Sequence, residues 1–153
     1  MARECIFCRI AKGEAPAYKV YEDEVSLVFL DIFPVEKGHL LVTSREHYEA
    51  VHNAPPRVVA HVFTVAAALA KIYRDILGAP GVNIVTNSGR AAGQEVFHFH
   101  VHVIPRWRGG GWRRLVERHV LTEEEAREVL GMLKPHIGIV RKALIDAGLV
   151  GGE

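Results

Sequence analysis

The sequence predicts an α+β fold with a five-stranded antiparallel sheet, one long helix and a C-terminal helical segment. Three patterns carry that prediction. The stretch His98-Phe-His-Val-His-Val-Ile104 alternates polar and apolar residues with a period of two, the spacing of a strand buried on one face. Between Pro56 and Leu77, the residues Val58, Val59, Val62, Phe63, Ala66, Leu69, Ile72, Tyr73 and Ile76 recur at helical spacing and make a broad apolar face. Thr122-x-x-Glu125 is a capping box, the start signal of a helix.

Taken in chain order, Cys5-x-x-Cys8 precedes a first strand at Ala17–Glu22, and Asp23-Glu24 makes the tight connection to a second at Ser26–Asp31. Pro34 and Gly38 punctuate the loop before a third strand, His39–Thr43. Pro55-Pro56 opens the long helix, where first-turn N–H groups have no helical partner to lose. Gly78 and Pro80 end it. Val82–Asn87 reads as a fourth strand, a glycine-bearing loop follows, and Val96–Ile104 is the fifth. Pro135 lies inside the later apolar pattern and predicts a kink or two successive helices. The order β-β-β-α-β-β-α with short connections fits an antiparallel sheet. No repeat or low-complexity linker divides the chain, so 1–153 is expected as a single domain, with 1–110 as its core and 111–153 as a helical tail.

A chain of 153 residues can bury a sizeable core, and a formal charge of +1 gives no basic stripe for nucleic acid. The nearest thing to one, Arg106, Arg108, Arg113 and Arg114, is interrupted by Gly109-Gly110-Gly111 and reads as a solvated loop. No apolar run suggests a membrane span, and Met1-Ala-Arg-Glu-Cys5 lacks the apolar core of a signal peptide. The expected location is cytoplasmic, with neither nucleic acid nor a membrane as partner.

The chemistry is concentrated around the last strand. Alternation aims His98, His100 and His102 to one face and Phe99, Val101 and Val103 to the other. Histidine can act as nucleophile, acid or base near neutral pH, so such a face suits work on a phosphate ester; a three-histidine metal site is the rival reading. Just upstream, Gly89 and Gly93 let the backbone turn and present N–H groups to phosphate oxygens, while Asn87 and Gln94 add neutral donors. An ordinary hairpin loop would use the same glycines. Cys5-x-x-Cys8 can supply two thiolates to one zinc ion, which needs two further ligands; free thiols or a labile disulfide are the alternatives.

The set Asn87…Gly93-Gln94…His98-x-His100-x-His102 resembles the histidine-triad (HIT) superfamily of nucleotide hydrolases and transferases. The likeness runs from Cys5-Ile-Phe-Cys-Arg-Ile10 through Phe29-Leu-Asp31 and Gly38-His39-Leu-Leu-Val42 to Ile104-Pro-Arg106, about the first 110 residues, and is greatest to the small nucleotide-binding members of bacteria and archaea. The resemblance implies a homodimer that binds purine nucleotides and cleaves at the α-phosphorus. By position it makes His100 the nucleophile, through a nucleotidyl-histidine intermediate, and His102 the residue that holds non-bridging oxygens and assists proton delivery to the leaving group. It makes His39 the residue that orients the nucleophile, and Asp31 the acceptor of both ribose hydroxyls. It also implies an apolar slot for the base from Phe7, Ile10, Phe29, Ile32 and Leu41. His47 and His98 would complete a structural zinc site with Cys5 and Cys8, with no metal needed for catalysis.

One position departs from the family pattern. Where several members carry Ser or Thr after Gly-Gln, this chain has Glu95, which alternation turns away from His98. His52, His61, His119 and His136 have no motif around them and read as surface or capping residues. The leading expectation is hydrolysis of nucleoside phosphoramidates or adenylates, followed by dinucleoside polyphosphates. A regulatory nucleotide-binding module with incidental hydrolysis belongs to another class, as does a zinc hydrolase using all three histidines.

Overall fold

The computed structural model describes residues 5–110 and 118–151. In chain order it has α1 (Ile6–Ala11), β1 (Lys19–Glu22), β2 (Ser26–Leu30), β3 (Leu40–Ser44), α2 (Pro56–Lys71), β4 (Val82–Val85), β5 (His100–Pro105), α3 (Glu123–Leu133) and α4 (Gly138–Asp146). A π-helical turn, Ile72–Ile76, extends α2. The five strands form one antiparallel sheet in the order β1-β2-β3-β5-β4.

Period-two alternation divides the sheet into two unlike faces. Val28, Leu30, Leu40, Val42, Val101 and Val103 point to the main core, where they meet Val62, Val65, Ala66, Leu69, Ile72 and Tyr73 of the long helix. Leu27, Phe29 and Leu41 point the other way and pack with Phe7 and Ile10 of α1 into a second, smaller cluster. His100 and His102 share this second face by the same alternation. The sheet thus has an aliphatic face under α2 and a face under α1 that carries the histidines.

Several sequence expectations shift at their edges. Helix α1 has no counterpart in the periodicity, because six residues are too few to establish it; the Cys5 thiol caps it by accepting from Cys8 N. The fifth strand starts at His100, not Val96. Ahead of it, His98 N bonds to Val96 O and Phe99 N to Tyr48 O, so the chain turns before it enters the ladder. Thr122 caps α3 through Glu125 N, as the capping box predicts, and the Pro135 break resolves as a 3₁₀ turn, Lys134–His136, between α3 and α4.

The segment Pro56–Ile76 spans 21 residues at a mean hydropathy of 1.2, long and apolar enough for a membrane span by length and composition. Its apolar side lies between the sheet and α4, the packing of a core helix. The expectation of a solvated arginine loop is corrected. Arg106 is buried, and Arg108 Nε donates to the buried Glu36 carboxylate at 2.6 Å; Arg113 and Arg114 lie outside the described residues.

Candidate active site

The loop that delivers His39 is built around Gly38. Its φ of +94° is in the left-handed region, and a Cβ there would stand 2.8 Å from the Tyr73 hydroxyl. That hydroxyl donates to Gly38 O at 2.6 Å, tying the loop to the π-helical turn. The next residue, His39, is buried beneath the second sheet face.

Hydrogen bonds to the main chain set the protonation of the imidazoles one after another. Val35 N donates to His39 Nδ1 at 3.1 Å, so the His39 proton is on Nε2. That Nε2 lies 3.0 Å from His102 Nδ1, which accepts and places the His102 proton on Nε2. His100 Nδ1 is 2.6 Å from His98 O and can only donate to it, which leaves His100 Nε2 with a free lone pair. His98 Nε2 donates to Ser44 O at 2.6 Å, leaving its Nδ1 bare. Burial pushes all four below the usual imidazole range, His98 to about 4 and His102 to about 3, so they are neutral at pH 7. His39 therefore reaches His102, whereas the family position implied an orienting bond to the nucleophile; His100 is oriented by a main-chain carbonyl.

The bare His98 Nδ1 points into a cluster with Cys5, Cys8 and His47. It lies 3.3 Å from Cys5 Sγ, 3.5 Å from Cys8 Sγ and 3.2 Å from His47 Nδ1, and His47 Nδ1 is 3.4 Å from Cys8 Sγ. A tetrahedron with zinc–sulfur and zinc–nitrogen bonds of about 2.3 and 2.0 Å has edges of about 3.3–3.8 Å, so the donor set fits. Burial and the neighbouring Cys5 push the Cys8 thiol up to about 11, a cost that a divalent cation reverses. The Ser44 carbonyl is the outer partner that orients His98 as a ligand.

A second convergence, Asp31, His39 and His102, does not suit a metal. His39 Nδ1 already accepts from Val35 N, so coordination through Nε2 would require an imidazole stripped of both protons. The triad cannot act as one three-histidine centre either, since His98 Nδ1 turns to the cysteines and His100 Nδ1 to a carbonyl.

Asp31 sits at the end of β2. Its Oδ1 accepts from Phe33 N at 2.8 Å, and its Oδ2 is 3.5 Å from His39 Nε2 and 3.4 Å from Arg118 Nη1. Burial raises its pKa, against the lowering effects of Phe33 N and Arg118. Arg118 also donates to Phe33 O at 2.5 Å, and His119 N and Leu121 N bond to Pro34 O and Ile32 O, so residues 118–121 run alongside the Asp31 loop. Sequence reasoning missed Arg118; a lone arginine outside any motif gives no signal.

The other expected residues divide. Phe7, Ile10, Phe29 and Leu41 form the closed small cluster, with the Phe7 ring edge-on to His98 and His100, whereas Ile32 is 55 % exposed beside Phe33 at 51 %. Gln94 accepts from Gly89 N and donates to Glu49 O and Val96 O, so its amide ties its own loop together instead of reaching His100. Asn87 lies by the same loop, its Nδ2 3.8 Å from where a Cβ on Gly93 would stand. Glu95 is exposed and Val96 packs toward Phe7, but both precede the strand, so strand alternation does not place them. His61, read as a surface residue, is buried against Asp23 at 2.9 Å.

Comparison with known proteins places this geometry in context. The HIT domain family model matches residues 12–109. The chain is 42% identical over 119 residues to "Protein hit" of Bacillus subtilis, covering 77% of this chain and 82% of that protein. It is 32% identical over 143 residues to Adenylylsulfatase HINT3 of Arabidopsis thaliana, covering 90% of this chain and 71% of the relative. A zinc-bound histidine triad family protein from Mycobacterium smegmatis superposes with a TM-score of 0.74 at 39% identity, over 88% of this chain and 96% of that one.

Proposed function

The chain belongs to the HIT domain family, and from that premise we propose that it is a purine nucleotide hydrolase, cleaving nucleoside phosphoramidates or adenylates at the α-phosphorus through a nucleotidyl-histidine on His100. The observation that carries this reading is the bond from His100 Nδ1–H to His98 O, which leaves Nε2 as an aimed, unprotonated nucleophile. As the Nε2–phosphorus bond forms, the bond to the leaving group breaks with its electron pair on the leaving atom: an oxyanion departs as such, and an amine takes up a proton from solvent. The ring becomes cationic, and the same carbonyl stabilises it. His102 Nε2–H, held by His39, donates to a non-bridging oxygen. Water then attacks the phosphorus and releases a proton to solvent, the N–P bond breaks with its electron pair on Nε2, and His100 returns to its starting tautomer as the nucleoside monophosphate leaves. Asp31 receives the ribose hydroxyls, and the exposed Ile32 and Phe33 offer apolar surface to the base. Asn87 and the main chain around Gly89 and Gly93 face the phosphates. Support for an adenylyl substrate comes from the Arabidopsis relative, whose name is that of an adenylylsulfatase.

Purified protein incubated with adenosine 5′-phosphoramidate or diadenosine tetraphosphate, with products read by mass spectrometry, tests this. AMP from the phosphoramidate is expected, falling about 1,000-fold or more in His100→Ala. AMP and ATP from the tetraphosphate alone would make it a dinucleoside polyphosphate hydrolase. Tight AMP binding without turnover would make it a regulatory module.

Cys5, Cys8, His47 and His98 would hold a closed, structural zinc that staples α1 to the loops around β3 and β5. Metal analysis is expected to give one zinc per chain, lost in Cys8→Ser, with chelation lowering thermal stability while folded protein retains turnover. Loss of turnover with the fold intact would bring zinc into the chemistry. The assembly we propose is a homodimer in the cytoplasm, with the outer strand β4 and its exposed Ile84 as one available surface; a monomer in sedimentation at micromolar concentration overturns it.

A further inference from the structure

Arg118 has no role in the reaction as described, yet it stands at the mouth of the site. Its guanidinium touches Asp31 Oδ2 at 3.4 Å and Phe33 O at 2.5 Å, and its side chain remains 39 % exposed. Asp31 Oδ2 is in turn 3.5 Å from His39 Nε2, which is 3.0 Å from His102 Nδ1, so the guanidinium is two contacts from His39 and three from His102, the imidazole that faces the phosphate. Its position is fixed from behind. His119 N and Leu121 N hold the segment to Pro34 O and Ile32 O, and the His119 ring bonds to Glu125 at 2.9 Å.

We propose that Arg118 selects nucleotides whose leaving group is an anion, a sulfate or a phosphate, over those that release an amine. This rests on the hydrolase reading above and names its substrate class. The Asp31 contact is long, and ribose hydroxyls arriving at Oδ2 compete for it. The guanidinium keeps Phe33 O and turns its remaining N–H donors to the bound nucleotide, where a fork of donors matches sulfate or phosphate oxygens.

The chemistry of departure points the same way. When His100 Nε2 bonds to the α-phosphorus and the bridging P–O bond breaks, the electron pair leaves on sulfate or phosphate, which needs a counter-charge and no proton. An amine must gain a proton as the P–N bond breaks. His102, the imidazole that faces the phosphate in this reading, is held neutral: burial, His100 and Arg118 push it down to about 3. A fixed cation without a charged acid beside it serves the first kind of leaving group.

The test compares kcat/KM for three substrates sharing one adenylyl group: adenosine 5′-phosphosulfate, diadenosine tetraphosphate and adenosine 5′-phosphoramidate. Each is measured with the wild type, Arg118→Ala and Arg118→Lys, and melting curves confirm folding. The ratio of at least one anionic substrate to the phosphoramidate is expected to fall tenfold or more in Arg118→Ala and to recover in part in Arg118→Lys. The ratio that falls further tells sulfate from polyphosphate. Both ratios unchanged within twofold, including the case where all three rates fall together, overturn the proposal and leave Arg118 a brace for the Asp31 loop. If the wild type hydrolyses none of the three, the hydrolase reading fails, and Arg118 is then judged by binding. The preference for ADP over AMP is expected to drop at least fivefold in Arg118→Ala, and an unchanged preference overturns the assignment.

Discussion

Asp23 and Asp31 bracket the same strand, and each faces a buried histidine, yet their surroundings are opposite. Asp23, in the β1–β2 turn, accepts from Tyr21 OH at 2.6 Å, His61 Nε2 at 2.9 Å, Val25 N at 2.9 Å, Ser26 N at 2.7 Å and Ser26 Oγ at 3.1 Å. These donors fill the carboxylate. Burial alone would raise its pKa, but His61, Tyr21 and the two backbone N–H groups hold it well below the usual carboxylate range. Asp31 has one good donor, Phe33 N, and two long contacts, and burial holds its pKa up. A saturated carboxylate is scaffold. An under-supplied one keeps acceptor capacity, which the proposed function gives to the ribose hydroxyls.

Removing each carboxylate should separate the two roles. Asp23→Ala leaves His61 and Tyr21 without their acceptor and is expected to lower stability by about 3 kcal/mol; calorimetric melting checks it, and a loss under about 1 kcal/mol would erase the contrast. Asp31→Asn should weaken AMP binding by about 10- to 100-fold in titration calorimetry, since bonds to a charged acceptor are worth about 1.5–3 kcal/mol. Its melting temperature should stay level or rise, because the ionised Asp31 is itself a cost to the fold. A variant that melts lower and binds normally would show that Asp31 too is scaffold.

Acid separates them by sign. The depressed Asp23 contributes stability that is complete above the unfolded carboxyl value of about 3.9 and is lost as pH falls through the lower folded value. The raised Asp31 imposes its cost at high pH and is relieved as pH falls. Asp23→Asn should therefore flatten the acid arm of the stability profile below about pH 4, and Asp31→Asn should leave that arm steep. The smallest effect is expected from Tyr21→Phe, which removes one donor of a filled set and should cost about 1 kcal/mol in a denaturant melt.

How much of this was legible follows from range. The strands around Val28 and Val42, the long helix and the Thr122 cap are written in local periodicity, and the sequence reads them to within a few residues. The triad and Asp31 were visible because several residue types recur at fixed spacing. His61 was misread because its partner is 38 positions away in a turn. Its spacing of four before Val65 on the buried helix face was the available signal. The hydrogen bond from His39 to His102 was hidden because it depends on a main-chain donor, Val35 N, and main-chain groups leave no letter in the sequence.

Those anonymous groups carry a consequence for how such a protein changes over time. The proton on each of the four imidazoles is placed by Val35 N, His98 O or Ser44 O, directly or through one neighbour. Short of proline at position 35, which would remove the Val35 N–H, a point mutation leaves these peptide groups in place. The reactive lone pair is therefore inherited with the backbone path, while Arg118, Ile32 and Phe33 at the rim are free to vary without retuning it. A lineage built on this chain can exchange its rim residues and keep the same imidazole tautomers throughout.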